Sequence, residues 1–141
     1  MEHHLTTYIT HDTLISALGF GTQENLEAIR NYHSGITLQT DKRIADTPLL
    51  AATLSQERLQ QQAEAIGVSG YPRMEQLFIL TINELIRQSG QTLEDKTCGL
   101  ILSTTKGNID LLARYTEHPD EAVFLWKMAE NIAGYFHAEE R

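Results

Sequence analysis

The sequence has little cysteine, no run of basic residues and no long hydrophobic segment. Its one cysteine, Cys98, cannot form an internal disulfide, which is typical of proteins from reducing compartments. The longest apolar stretches, such as residues 77–80 and 100–102, are far too short to span a bilayer. The opening residues MEHHLTTYITHD lack the basic and apolar segments of a secretory signal. We therefore expect a cytoplasmic protein with no membrane partner.

The charge balance argues against nucleic-acid binding. Lys and Arg number 11 against 19 Asp and Glu, so the formal net charge is −8. A nucleic-acid reader needs clustered basic residues to displace counterions from phosphates, and no such cluster occurs. The histidines and Cys98 show no paired ligand spacing, so we expect neither a metal site nor a cofactor. A chain of 141 residues is the size of one domain, residues 1–141.

Short apolar segments and turn residues divide the first part of the chain. Residues 8–10 and 14–18 are predicted to be strands or extended segments, because β-branched and apolar residues are followed by glycines. Thr22 is predicted to cap a helix that Gly35 ends, with apolar residues at a spacing of three between them. Residues 36–54 lack a clear period, which predicts a loop with short extended pieces.

The middle of the chain carries two helical patterns. Ser55 is predicted to begin the first helix and Gly67 to end it. Pro72 suits the first position of the second helix, since its missing N–H would have no partner there. Apolar residues cover nearly the whole circumference between residues 74 and 86, which predicts a buried central helix that Gly90 ends.

The last part of the chain predicts one more strand and one more helix. Residues 98–102 form a continuous apolar run, which suits a strand covered on both faces, as in a parallel sheet. Pro119 and Asp120 are predicted to open a helix that reaches Phe136. No strand follows in this sequence, although an α/β layer normally places one there. We therefore expect an α/β fold, with helices packed on a mixed sheet, that is incomplete after the last helix.

The polar turn after residues 98–102 is the most informative stretch, because ligand sites of open α/β sheets lie at the carboxyl ends of strands. Ser103 and Lys106 match S-x-x-K, the nucleophile motif of serine acyl-enzymes. In that motif the lysine lowers the pKa of the serine hydroxyl or accepts its proton. The companion motifs S-D-N and K-T-G are absent from the sequence. The plainer interpretation is a turn in which Gly107 or Asn108 supplies an unusual backbone angle. Asn108 or Thr105 would then cap the following helix.

Cys98 and the histidines are expected to have no chemical role. A reactive thiolate needs a helix N-terminus or a basic neighbour, whereas Cys98 stands at the start of an apolar strand, so we expect a packed core thiol. No recognisable partner accompanies His11, His33, His118 or His137, which we expect at solvated loop or helix-end positions.

Several segments, in order, resemble the amino-terminal half of the β-ketoacyl-acyl-carrier-protein synthases, condensing enzymes of the thiolase fold. The opening stretch YIT…ISALG resembles the family's first strand, and ENLEAI followed by SGI is similar to its first helix and the motif that closes it. RMEQL resembles the start of the buried helix. GLILSTTKGN lies where the family has a strand ending in a glycine-rich turn. The resemblance covers essentially the entire chain.

The resemblance implies a decarboxylative Claisen condensation of acyl and malonyl thioesters in fatty-acid or polyketide-type synthesis. In that family a cysteine takes the acyl chain, backbone N–H groups hold the thioester oxyanion, and two histidines, or a histidine and an asparagine, stabilise the carbanion. In the family the catalytic cysteine follows the helix that here ends at Phe136. The sequence contains neither a cysteine at that place nor the motif His-x-Thr-x-Thr. We therefore assign no catalytic residue to this chain, and the chain alone is not expected to be active. The implied partners are acyl carrier protein, and either a second copy of the chain in a homodimer or the carboxy-terminal half.

The family's acyl pocket implies the candidate site residues, which follow the strand of residues 98–102: Thr104, Thr105, Lys106, Gly107 and Asn108. Lys106 matches the position that borders the pocket, where a cation beside an alkyl chain is unfavourable. A lysine at this position implies a modified pocket, a polar substrate, or a side chain that turns to solvent. Two other functions stay open: a non-catalytic synthase-like partner that sets chain length or acts as a scaffold, and a small serine acyl-enzyme using Ser103 and Lys106.

Overall fold

The structure, a computed structural model, describes residues 6–94, 96–114 and 120–138. Within these ranges, two small sheets and four α-helices follow one another in the order β1 (Ile15–Ser16), β2 (Gly19–Phe20), α1 (Thr22–Arg30), β3 (Ile36–Gln39), β4 (Leu49–Ala52), α2 (Gln56–Ala65), α3 (Arg73–Ser89) and α4 (Leu125–Tyr135). Two 3₁₀ helices, Ile109–Arg114 and Glu121–Val123, lie between α3 and α4.

The amino-terminal hairpin of β1 and β2 is fixed to α1 by one buried amide. Asn25 of α1 donates through Nδ2 to the backbone oxygens of Leu14, Gly19 and Gly21, at 3.2, 3.0 and 2.8 Å. Gly19 is required because a Cβ there would lie 2.5 Å from the Cβ of Glu24. The predicted cap at Thr22 is wrong, since α1 begins at Thr22 itself, whose hydroxyl donates to Asp12 at 2.6 Å.

Helix α1 ends earlier than the sequence predicts. Its last residue is Arg30 rather than a residue next to Gly35, because Tyr32 adopts a positive φ of 57° that a helix cannot continue through. The following residues 36–54, predicted as a loop with extended pieces, contain the antiparallel hairpin of β3 and β4, with Leu38 opposite Leu50. Its apolar face, formed by Ile36, Leu38 and Leu50, is exposed.

Three helices build the hydrophobic core, and α3 lies between α2 and α4. The core side chains are those of Ala63, Val68, Ile79, Ile82, Met128, Ile132 and Phe136. Ser55 caps α2 as predicted, because its hydroxyl accepts the backbone N–H of Arg58 at 3.2 Å. Gly90 ends α3 with a left-handed φ of 69°, also as predicted. Pro72 precedes the first residue of α3 rather than occupying it.

The predicted strands are largely missing from the described part of the chain. Residues 8–10 and 98–102 join no sheet, and of residues 14–18 only Ile15 and Ser16 are paired. A strand needs a neighbour to accept its backbone hydrogen bonds, and the described residues offer none beside these segments. Consequently Ile101, in the run predicted to be covered on both faces, is 93% exposed, and Ile9 is 94% exposed.

The mixed content of helices and strands confirms the α/β class in its general form. Among the described residues the two sheets have two strands each and are antiparallel, so no mixed layered sheet is formed. The last helix differs from its prediction in one detail: Asp120 caps a short 3₁₀ helix, and α4 follows it from Leu125. Pro119 lies outside the described residues. Across the described ranges, the helices are too short or too polar for a bilayer crossing.

Candidate functional site

The turn at residues 104–108 is held by its own side chains and by α4. The hydroxyl oxygen of Thr104 accepts the backbone N–H groups of Lys106 and Gly107, at 3.2 and 3.1 Å. Gly107 has a left-handed φ of 54°, which confirms the predicted unusual angle. A Cβ at this position would lie 2.5 Å from Cδ2 of Leu125. The turn therefore packs directly against the first turn of α4.

Asn108, one of the two residues that the sequence offered as a cap, does not cap the following helix. Only its backbone oxygen contributes to the 3₁₀ helix, by accepting the N–H of Leu111 at 3.0 Å. Its side chain, 1% exposed, points into the protein and donates through Nδ2 to Oε1 of Glu75 and to the oxygen of Ala122, both at 2.8 Å. The turn is thereby tied to α3 and to the second 3₁₀ helix.

Glu75 is the centre of a buried polar cluster. Its side chain is fully buried in the first turn of α3. Besides Asn108, it accepts from Nδ2 of Asn131 on α4, at 3.3 Å to Oε1 and 3.2 Å to Oε2. Within the described ranges, the side chains that donate to Glu75 are neutral amides. We call Glu75, Asn108 and Asn131 the amide–carboxylate cluster.

Burial dominates the electrostatics of this cluster. Removal of the Glu75 carboxyl from water raises its pKa above the ordinary value. The hydrogen bonds from Asn108 and Asn131, and the more distant charge of Lys127, oppose that rise without cancelling it. The Lys127 ammonium donates instead to Glu130, at 2.8 Å.

Sequence reasoning did not single out Glu75 or Asn131. An acidic residue in the first turn of a helix is ordinarily explained by the helix dipole. The available signal was the position of Glu75 on the same helical stripe as Ile79 and Ile82, where a charged group faces the core.

A groove of about 940 Å³ runs between helix α4 and residues 93–94 and 96–102. Its lining includes Cys98, Leu100 and Leu102 on one side and Asn131 and Tyr135 on the other. Cys98 is half-buried on this surface, so the prediction of a core thiol is wrong. The reason is that residues 98–102 do not belong to a sheet. In an unpaired extended segment, only the side chains that face the helices are buried.

The five candidate pocket residues lie together in the turn but differ in exposure. Thr105 and Lys106 are exposed, Thr104 is half-buried, and Gly107 and Asn108 are buried. None of the five belongs to the lining of the groove beside α4. The side chain of Lys106 is turned to solvent, which is one of the three arrangements that the sequence left open.

The S-x-x-K residues do not have the arrangement that their motif requires. Ser103 is exposed at the end of the extended segment, and residues 103–106 are not helical, so Lys106 does not follow Ser103 by one helical turn. The exposed positions of His11, His33 and His137 agree with the sequence-based expectation, and His118 lies outside the described residues. Comparison of the chain with protein-family models, curated proteins and solved structures gave no match.

Proposed function

We propose that this chain forms the amino-terminal half of a β-ketoacyl-acyl-carrier-protein synthase of the thiolase fold. The whole enzyme would condense an acyl thioester with a malonyl thioester on acyl carrier protein, with loss of carbon dioxide. The support from the sequence is the ordered resemblance from YIT to the last helix. In this proposal the chain contributes scaffold and pocket lining, and the cysteine nucleophile and the histidines belong to another part of the enzyme.

The observation that carries the proposal is the unpaired segment of residues 98–102. Leu100 and Leu102 pack against the helical core, whereas Ile101 between them points outward and is 93% exposed. This alternation is that of a strand with one face covered. A second covering layer and a neighbouring strand would satisfy both the free face and the free backbone. In the proposed enzyme, another part of the synthase would supply both.

The turn of residues 104–108 has the features that a pocket wall needs. The backbone is fixed at both of its buried residues, Gly107 by close packing on Leu125 and Asn108 by hydrogen bonds. The polar side chains of Thr105 and Lys106 face away from the protein interior. An acyl chain would therefore meet a rigid backbone rather than the Lys106 ammonium, which is the less costly arrangement for a buried alkyl group.

Acyl transfer distinguishes this proposal from its rivals. The purified chain is incubated with an acyl-pantetheine thioester and analysed by intact-mass spectrometry, beside a Cys98→Ser control. We expect Cys98 to stay unmodified, since the described residues that line its groove include no histidine to activate the thiol. The complete reading frame, treated in the same way, should become acylated at a cysteine outside residues 1–141. Stable acylation of Cys98, or a complete reading frame that takes up no acyl group, would contradict the proposal.

A further inference from the structure

The amide–carboxylate cluster connects three separate parts of the chain at one point. Glu75 comes from α3, Asn108 from the turn and Asn131 from α4. Asn108 also bonds the oxygen of Ala122, so the second 3₁₀ helix is attached as well. Asn108 and Asn131 are 33 and 56 positions from Glu75 along the chain, so their contacts with Glu75 are tertiary and not local.

We propose that Glu75 is a positioning residue, whose carboxylate fixes the turn of residues 104–108 and helix α4 against α3 through the side-chain amides of Asn108 and Asn131. A buried carboxylate is unfavourable for stability compared with a packed apolar group. The carboxylate can nevertheless fix orientation, because its hydrogen bonds to amides have preferred directions whereas apolar contacts do not.

The cluster holds Asn108 through its side-chain NH₂ group. Both hydrogens of its Nδ2 are used, one by Glu75 and one by the oxygen of Ala122. The adjacent Gly107 is closed against Leu125, so the peptide between these residues is held from both sides. Fixing Asn108 therefore fixes the end of the turn, and the consequence that Glu75 sets the position of an acyl-pocket wall rests on the proposed function.

Charged groups near the cluster lie on each neighbouring element. Lys127 on α4 acts on Glu75 through its charge, and it is itself influenced by Glu121 of the second 3₁₀ helix and by its partner Glu130. Lys106 on the turn is exposed. None of these makes a direct hydrogen bond to Glu75, so within the described residues the direct hydrogen bonds of its carboxylate come from the two asparagine amides.

Two replacements of Glu75 separate direction from volume. In Glu75→Gln the side-chain oxygen retains the bond from Asn108, and a rotated Asn131 amide can accept from the new NH₂ group. In Glu75→Ala one buried hydrogen of Asn108 loses its acceptor. The matched control is Asn25→Ala, which removes a buried amide of the same kind from the amino-terminal hairpin, away from the turn.

Amide hydrogen exchange on the whole chain tests the proposal without any substrate. Exchange at Gly107 and Leu111 is divided by exchange at Leu59 in α2, which corrects for a general loss of stability. We expect this ratio to rise roughly tenfold in Glu75→Ala, the effect of one unsatisfied buried donor, and to stay near wild type in Glu75→Gln and Asn25→Ala. An unchanged ratio in Glu75→Ala would overturn the proposal, and so would a similar rise in Asn25→Ala.

A spectroscopic measurement covers the case in which Glu75→Ala does not fold. In wild-type protein the side-chain NH₂ resonances of Asn108 and Asn131 should shift together with pH, because both donate to the one titrating carboxyl. In Glu75→Gln that joint shift should vanish while the Asn108 resonance stays dispersed. Resonances that do not respond to pH in the wild type would contradict the proposal. Because no acyl ligand is involved, neither result depends on whether the chain belongs to a synthase.

Discussion

Replacing Gly107 by alanine tests how tightly the turn is packed on α4. The left-handed conformation at φ 54° costs an L-residue about 1–2 kcal/mol. The new Cβ would also lie 2.5 Å from Cδ2 of Leu125, which must move. Leu125 is half-exposed, so it can rotate away at a cost of about 1 kcal/mol. We expect Gly107→Ala to lower the free energy of unfolding by about 2–3 kcal/mol in total.

The chain supplies a matched control for the backbone part of this cost. Gly90 has a similar φ of 69°, but no atom lies within 4 Å of the position that its Cβ would take. Gly90→Ala should therefore show the conformational penalty alone, about 1–2 kcal/mol. The difference between the two variants, about 1 kcal/mol, measures the collision with Leu125.

The assay is urea unfolding followed by circular dichroism at equilibrium, with the free energy taken from the midpoint and slope. A double-mutant cycle isolates the contact: combined with Leu125→Ala, Gly107→Ala should recover about 1 kcal/mol relative to the sum of the single variants. Equal losses in Gly107→Ala and Gly90→Ala, together with no recovery in the double variant, would refute the packing of this turn on α4.

Three further predictions concern the buried acid, an ion pair and the core. The pKa of Glu75 is raised in the folded protein, so the folded form retains a proton that the unfolded form has already lost. The free energy of unfolding should therefore fall as pH rises from the ordinary glutamate range through the raised pKa. Urea midpoints measured between about pH 4 and pH 8 should fall less in Glu75→Gln than in wild type. Arg58 holds the Glu24 carboxylate through two bonds of 2.9 and 3.0 Å, and since both side chains are partly exposed, Arg58→Lys should cost only about 0.5–1 kcal/mol and less in high salt. Ile79 is fully buried between the helices, so Ile79→Ala should lower the free energy of unfolding by about 2–5 kcal/mol. Thermal unfolding of the exposed control Leu50→Ala should match wild type.

Helices were predictable from the sequence where local chemistry determines their ends. Ser55 accepts a backbone N–H that no helical carbonyl can accept, and Gly90 adopts a conformation that other residues avoid, so both act without help from distant residues. The apolar circumference of residues 74–86 likewise placed α3 at the centre. These features depend on neighbours within one or two turns, which a sequence displays directly.

The strands and the buried cluster depend on residues far apart in the chain. Apolar composition at residues 98–102 indicates a strand but cannot supply its neighbour, and without one the segment stays extended and half-covered. Asn108 could have capped the next helix, yet the acceptor that it uses, Glu75, lies in a different helix. Only the tertiary arrangement decides between a local and a distant partner for such an amide.

The β3–β4 hairpin is expected to unfold locally while the rest of the protein stays folded. Its backbone bonds are made within the hairpin, and the side chains of Ile36, Leu38 and Leu50 gain little from burial. Two strands alone are only marginally stable in water. The hairpin should therefore open and reclose many times during the lifetime of the helical core, as a separate unit of sub-global unfolding. A protease attacking near residues 40–48 would then cut this ribbon while α2, α3 and α4 remain intact.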